Sequence, residues 1–264
     1  MSAGGFTFRS RTPIAWSYHR ATARWQFNMG SATSPPVVVG REHGALPWTP
    51  LPPPAPFLGG LQEAIQERLS CRAFTPEPLS LAELAALLRF GYGVEQRSGP
   101  SMQDRPAPSG GGLYPLELTV LVRAVEGLEP GVHHYVPAAN GLERMREGKL
   151  PPELLTYLFM GQPWVAEAAV TLVISFAGER SLTKYVDRGY RYALLEAGHV
   201  MQNVNLVAVA LGLGSVNLGG FFDDELAGLL RIDPEKEVCL YGCALGRPAP
   251  ESGRMALRDL GRAR

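Results

Sequence analysis

Lys184 and Tyr185 stand side by side in the stretch "RSLTKYVDRGY". Both side chains can take or give a proton, and both are poor bases at neutral pH, since free Tyr titrates at about 10 and free Lys at about 10.4. Held together and partly desolvated they change each other: an ammonium lowers a phenol, and burial lowers a lysine. A shift of about 2 to 3 units corresponds to roughly 3 to 4 kcal/mol of differential interaction. It would make the pair a competent general base, with the proton belonging to the pair rather than to either residue. The same two residues also read as a surface cation beside a packing aromatic, and spacing alone leaves both readings open.

Other polar groups recur near glycines. In "RLSCRAF", Arg68, Ser70 and Arg72 occupy alternate positions, so in an extended segment all three face one way. Two guanidiniums and a hydroxyl can grip a phosphate; they can equally be a solvated helix end. In "RPAPSGGGLYP", Pro108 and Ser109 precede three consecutive glycines, whose bare backbone allows close approach to a flat ligand, unless the stretch is a plain loop. "LGLGSVNLGGFFD" offers the amides of Gly219 and Gly220 to a carbonyl or anionic ring edge, and "GCALGRP" adds Arg247 as a phosphate candidate.

Glu196, His199 and Asn203 sit at i, i+3 and i+7, one stripe of a helix. Buried polar groups must be paired, so the stripe is expected to form an internal network, with a two-fold axis as one place for it. Metal chemistry is not expected. Glu196 and His199 make a single Glu-x-x-His where a di-iron site needs two, and His133 and His134 point to opposite faces of a strand. Gly212 and Gly214 close a helix rather than open one, with Asn217 where a third glycine belongs, so no dinucleotide fingerprint is present.

These groups need a scaffold. Helices are expected over "LQEAIQERLS", "LSLAELAALLRF", "PELLTYLF", Tyr190 to Leu211 and "DDELAGLL", the second opened by a Ser80/Glu83 capping box. "LELTVLVRAV" and "VHHYV" should form a hairpin, "AAVTLVISFAG" a strand buried on both faces and "EVCLYGCALG" a last strand. The organisation is α+β: a central, mostly antiparallel sheet flanked by helices, over residues 61–264. Residues 1–60 form a Pro-rich arm with one short helix near Trp16 to Ala23, and the aromatics Trp16, Tyr18, Trp25 and Phe27 argue against disorder there.

Bulk properties narrow the classes. Zero net charge at pH 7 gives no footprint for nucleic acid or an anionic membrane. The longest apolar run, around Leu206 to Leu213, is far below the roughly 18 residues of a membrane span. The three cysteines are odd in number and not zinc-spaced, which suits a reducing cytoplasm.

"RLSCRAF" followed by "PSGGGLYP" resembles the opening of the FMN-carrying nitroreductase superfamily. "KYVDRGYRYALLEAGHVMQNVNLVAVALGLGSVNLGGFFDDEL", with "YHRAT" and "GLEPGVHHYVPAANGLERM", is similar to one branch, the SagB-type dehydrogenases that include the azoline oxidases of thiazole/oxazole-modified peptide pathways. The resemblance implies a nitroreductase-like sandwich that forms a homodimer with two FMN sites at the subunit interface. It places Arg68, Ser70 and Arg72 on the phosphate and pyrimidine side, and Arg247 near the phosphate. Pro108 and Ser109 would come from the partner subunit, Gln162 would be an amide partner of the ring, and Gly219 and Gly220 would lie at its edge. Lys184 and Tyr185 match the azoline oxidases' Lys-Tyr pair. The implied activity is dehydrogenation of thiazoline or oxazoline rings in a peptide, with a cyclodehydratase as possible partner. A general NAD(P)H-dependent reductase of nitro or quinone substrates, and a peptide-docking subunit of a modifying complex, are the competing readings.

Overall fold

The computed structural model describes residues 17–18, 41, 44, 46–95 and 104–252. Most of the expected arm lies outside these, including the helix near Trp16 to Ala23 apart from Ser17 and Tyr18, which are helical. In chain order come β1 (Trp48–Pro50), α1 (Leu61–Glu67), α2 (Leu81–Tyr92), a glycine turn (Gly110–Gly112), β2 (Leu116–Val122), β3 (Gly131–Val136) and β4 (Gly141–Glu147). They are followed by α3 (Pro152–Leu158), α4 (Trp164–Glu167), β5 (Val170–Ala177), α5 (Glu179–Tyr185), α6 (Asp187–Ala210), β6 (Gly214–Leu218), α7 (Asp223–Leu230) and β7 (Glu237–Gly246).

The strands form one sheet in the order β1-β4-β3-β2-β5-β7-β6, and every pairing is antiparallel. Period-two alternation explains how it is covered. Leu116, Leu118, Val120 and Val122 of β2 face a layer made by α2 and α6, while Leu121 faces the layer of α3, α4 and α7. Gly91 lets α2 approach α6 closely, since a Cβ there would lie 2.8 Å from Val204 Cγ2. Leu87 and Leu88 are fully buried in this layer, and truncating either to Ala would cost about 2–5 kcal/mol.

Local signals hold where they are strongest. Ser80 accepts the Glu83 N–H at 3.2 Å and Glu83 accepts the Ser80 N–H at 2.8 Å, the expected reciprocal cap. The β2–β3 hairpin forms, and β5 is buried along nearly its whole length. Five elements go beyond expectation: β1, α4, β4, β6 and α5. "GLERMRE" is strand β4, whose charged second half is exposed at the sheet's periphery and hides the strand pattern. "GSVNL" is strand β6, masked by flanking glycines. The Lys184–Tyr185 stretch closes a helix, α5, separated from α6 by Val186 at φ 48° and ψ −140°. A β-branched residue rarely adopts that conformation, so the break is imposed by packing on both sides. Among the described residues no helix is long and apolar enough to cross a membrane. Cys71, Cys239 and Cys243 are free and buried.

Candidate active site

The α5–α6 break turns Lys184 and Tyr185 toward the glycine turn. Lys184 Nζ lies 5.3 Å from the Tyr185 ring centroid. The Tyr185 ring meets Tyr192, one turn into α6, edge-on at 5.1 Å, and Arg188 covers Tyr192 at 5.6 Å. Gly111 has φ +69°, and a Cβ on it would overlap the Tyr185 hydroxyl and stand 3.3 Å from Lys184 Nζ. A Cβ on Gly110 would press on the Tyr192 ring at 3.0 Å. Close approach is therefore used here, and the flat groups approached are this chain's own tyrosines.

Two buried carboxyls hold this arrangement from either side. Arg180 of α5 pairs with Glu117 of β2 and donates to the Tyr114 carbonyl at 3.2 Å, pinning α5 to the segment that leaves the turn. Burial by itself would raise Glu117, but the His134 hydrogen bond at 2.9 Å and the Arg180 charge prevail and hold it down at about 2. Glu196 of α6 behaves oppositely. Burial pushes it up to about 7 although Ser109 and Tyr92 donate to it at 2.5 and 2.6 Å and Arg105 lies nearby. Of the polar stripe only Glu196 joins this interior. His199 is exposed and Asn203 half-buried, because α6 shows that side of its stripe outward in the single chain.

The remaining predicted residues gather around β6. Residues 70 and 71 run beside its start: Ser70 bridges Ser215, and the Cys71 N–H donates to the Ser215 carbonyl at 2.8 Å. Ser70 and Arg72 are exposed there, Arg68 is half-buried, and the Arg72 guanidinium sits 5.8 Å from the Trp164 ring centroid. The chain from Ala73 to Thr75 is stitched to Arg247 and Ala249, which brings Arg247 to the same end. Arg247 is committed to Glu83 through two hydrogen bonds of 2.7 and 2.8 Å. At the far end of β6, about 13 Å along at strand rise, Gly219 is exposed with open space where a Cβ would be. A Cβ on Gly220 would fall 3.1 Å from Met160 Sδ and 3.9 Å from Gln162 Nε2. Cationic side chains at one end and neutral amides at the other line a cradle along β6 that could hold a phosphate-bearing ring compound.

Sheet register separates the two groups. The glycine turn and α5 leave the end where Leu116, Phe176 and Val238 are paired across β2, β5 and β7. Ser70 and Arg247 lie at the opposite end, where Ser215, Leu245 and Val170 align. One chain thus carries Pro108, Ser109, Lys184 and Tyr185 at one end of its sheet and the phosphate-type donors at the other. Tyr92, Arg105, Arg180 and Tyr192 were not singled out by sequence. Glu196 and Tyr92 are 104 positions apart, beyond any local pattern.

Residues 65–247 match the nitroreductase family. MJ1384 of Methanocaldococcus jannaschii, named as a nitroreductase, is 38% identical over 187 residues, covering 71% of this chain and 90% of its own length. The Escherichia coli microcin B17-processing protein McbC is 33% identical over 139 residues, 51% of this chain, which spans about half (51%) of McbC. A solved structure from Anabaena variabilis named as a nitroreductase superposes with TM-score 0.70 at 29% identity, over 88% of this chain and 47% of that one. The E. coli microcin synthetase McbBCD complex with truncated pro-MccB17 bound contains a chain that superposes with TM-score 0.59 at 25% identity, over 92% of this chain and 85% of that one. With the antiparallel seven-stranded sheet between two helical layers, these matches make the chain an oxidoreductase of the nitroreductase family.

Proposed function

We propose that this chain is an FMN-dependent dehydrogenase of the SagB type that oxidises thiazoline or oxazoline rings to thiazole or oxazole in a ribosomally made peptide. The observation that carries the reading is the convergence of Lys184 and Tyr185 on the glycine turn, two proton-exchanging groups beside backbone that carries no side chain. The likeness to McbC, a peptide-processing protein, supports the same substrate class.

The residues around β6 fit FMN. Arg68, Ser70 and Arg72 are cationic and hydroxyl donors for its phosphate and pyrimidine side, and exposed Gly219 with half-buried Gly220 beside Gln162 suit a ring edge. Arg247 departs from the expected pattern, since Glu83 already neutralises it. Oxidising an azoline removes two electrons and two protons. The Lys184–Tyr185 pair takes the proton from the ring carbon that was the residue's Cα, which the adjacent C=N and carbonyl acidify. Bound FMN would supply the acceptor for the hydride that leaves the neighbouring ring carbon, with O2 or another oxidant receiving the electrons onward.

The phosphate-side donors sit at the opposite end of the sheet from the Lys184–Tyr185 pair, which favours a site completed by two copies, the pair, Pro108 and Ser109 coming from one and the cradle from the other. Exposed Leu61 and Ile65 one turn apart on α1, Leu69 just beyond its end, and Leu194 and Leu195 on α6 supply apolar surface suited to a homodimer. A cyclodehydratase would be the partner that makes the azoline. The test is incubation with an azoline-containing peptide and FMN. Each ring should lose two hydrogen atoms by mass, and Lys184→Ala with Tyr185→Phe should abolish the loss while flavin binding persists. The likeness to MJ1384 favours a second reading, a general NAD(P)H-dependent nitro or quinone reductase. Turnover of NADPH with a nitroarene and no ring oxidation would select it.

A further inference from the structure

The ring-oxidation chemistry makes no use of the carboxyl of Glu196 or of the buried chain of hydrogen bonds beneath the glycine turn. Glu196 accepts the Tyr92 hydroxyl at 2.6 Å and the Ser109 hydroxyl at 2.5 Å. Tyr92 Oη in turn accepts the Leu116 N–H at 3.3 Å, and Ser109 Oγ accepts the Tyr114 N–H at 2.9 Å. The carboxyl therefore ties α2, the residue that opens the turn, the segment that leaves it and α6 at one point. The charged and titratable groups facing it among the described residues are Tyr92 from α2, and Arg105 and Tyr114 from the chain on either side of the turn. The Arg105 guanidinium sits 4.3 Å from the Tyr92 ring centroid and 4.7 Å from that of Tyr114. Tyr114 itself is bent to φ 46°, so the segment is held in a conformation it would not choose alone.

We propose that Glu196 is the positioning residue of the site: through Ser109 and Tyr92 its carboxyl seats the Gly110–Gly112 turn against Lys184 and Tyr185, and it releases a proton when the turn lifts. Lifting the turn breaks the Tyr114 and Leu116 bonds and opens the carboxyl to water. Burial keeps Glu196 at about 7 in the seated state, well above an ordinary carboxyl, whereas Tyr92 is pushed above its usual range and stays protonated. A group raised in the closed state favours that state fully below its free value and loses the preference as pH rises to the closed-state value. The seated turn is thus the protonated form, in which the carboxyl accepts from Tyr92 at Oε1 and gives its own proton from Oε2 to Ser109 Oγ, and alkaline pH loosens it. The latch concerns only this chain's own residues and stands whether or not the ring-oxidation reading does.

The experiment is amide hydrogen exchange on the full-length protein as purified, from pH 6 to 8.5, divided by the intrinsic exchange rate at each pH. The opening constants of the Tyr114 and Leu116 amides should rise roughly tenfold across that range, while those of Thr119 and Leu121 inside β2 stay flat. Glu196→Gln should abolish the slope at both. Ser109→Ala should raise opening of Tyr114 at every pH and leave the Leu116 slope in place. A flat wild-type profile, an unchanged slope in Glu196→Gln, or full Tyr114 protection in Ser109→Ala would each overturn the proposal. Should Glu196→Gln fail to fold, the wild-type slope and the Ser109→Ala result decide it.

Discussion

Gly111 and Tyr185 touch so closely that no side chain fits at position 111: a Cβ there would overlap the phenolic oxygen. The contact gives a paired prediction, because Gly112 shares the backbone problem without the contact. Both glycines have positive φ, +69° and +65°, but a Cβ on Gly112 meets nothing within 4 Å. Each Ala substitution should cost about 1 kcal/mol in chemical denaturation from conformation alone. Only Gly111→Ala should also displace Tyr185, lowering turnover at least tenfold in a single-turnover assay. Equal losses of turnover in the two variants would remove the contact from the mechanism.

Much of this was legible beforehand because it is local. The Ser80/Glu83 cap, the β2–β3 hairpin and the long helix are written in neighbouring residues, and they formed where expected. Strands β4 and β6 were not legible, since one carries its charges on an exposed half and the other hides among glycines whose tertiary contacts justify them. Lys184 and Tyr185 stood out as types, but nothing in sequence places them opposite Gly111. The stripe of Glu196, His199 and Asn203 divided for a reason that spacing could not give. The groups that draw Glu196 inward, Tyr92 and Ser109, arrive from elements about a hundred residues upstream.

The bidentate Arg247–Glu83 pair leads to a ranking of the basic residues. Arg247 is already neutralised by a carboxylate that also caps α2, whereas Arg72 is exposed with its charge over Trp164. Arg68→Ala and Arg72→Ala should each weaken FMN binding by about tenfold or more, the scale of a lost charge-assisted hydrogen bond. Arg247→Ala should weaken it less but should destabilise the fold, because Glu83 loses its partner. Flavin fluorescence titration and urea denaturation separate the two effects. An Arg247→Ala loss of affinity larger than that of Arg72→Ala would contradict the ranking.

Glu117 sets an acid limit on stability. Its folded value of about 2 lies below its free value, so the stabilisation is complete above the ordinary carboxyl range and is lost as pH falls toward 2. The magnitude is on the order of 3 kcal/mol by linkage. In urea melts between pH 5 and 2.5 the wild type should lose stability steeply. Glu117→Gln should start lower, because Arg180 and His134 lose their charged partner, and should fall with a shallower slope. Parallel curves would show that other carboxyls carry the acid sensitivity.

Opposite placement of the Lys184–Tyr185 pair and the Arg68/Ser70/Arg72 cradle on one sheet makes the shared site testable without a structure of the dimer. In a two-fold dimer whose sites combine the pair of one chain with the cradle of the other, Lys184→Ala and Arg72→Ala chains are each inactive alone, the second for lack of bound cofactor. A mixed dimer pairs the intact cradle of the first with the intact lysine of the second, leaving one sound site and one doubly damaged site. Random exchange of subunits should therefore restore about a quarter of the wild-type active sites. Differently tagged chains, co-expressed and purified through both tags, enrich the mixed dimer and should approach half. If both residues served one site within a single chain, no mixture would recover activity, because every site would keep one defect. A double variant carrying both substitutions in one chain, mixed with wild type, supplies the complementary check: the shared site predicts that each mixed dimer has two damaged sites, and the single-chain site predicts one intact.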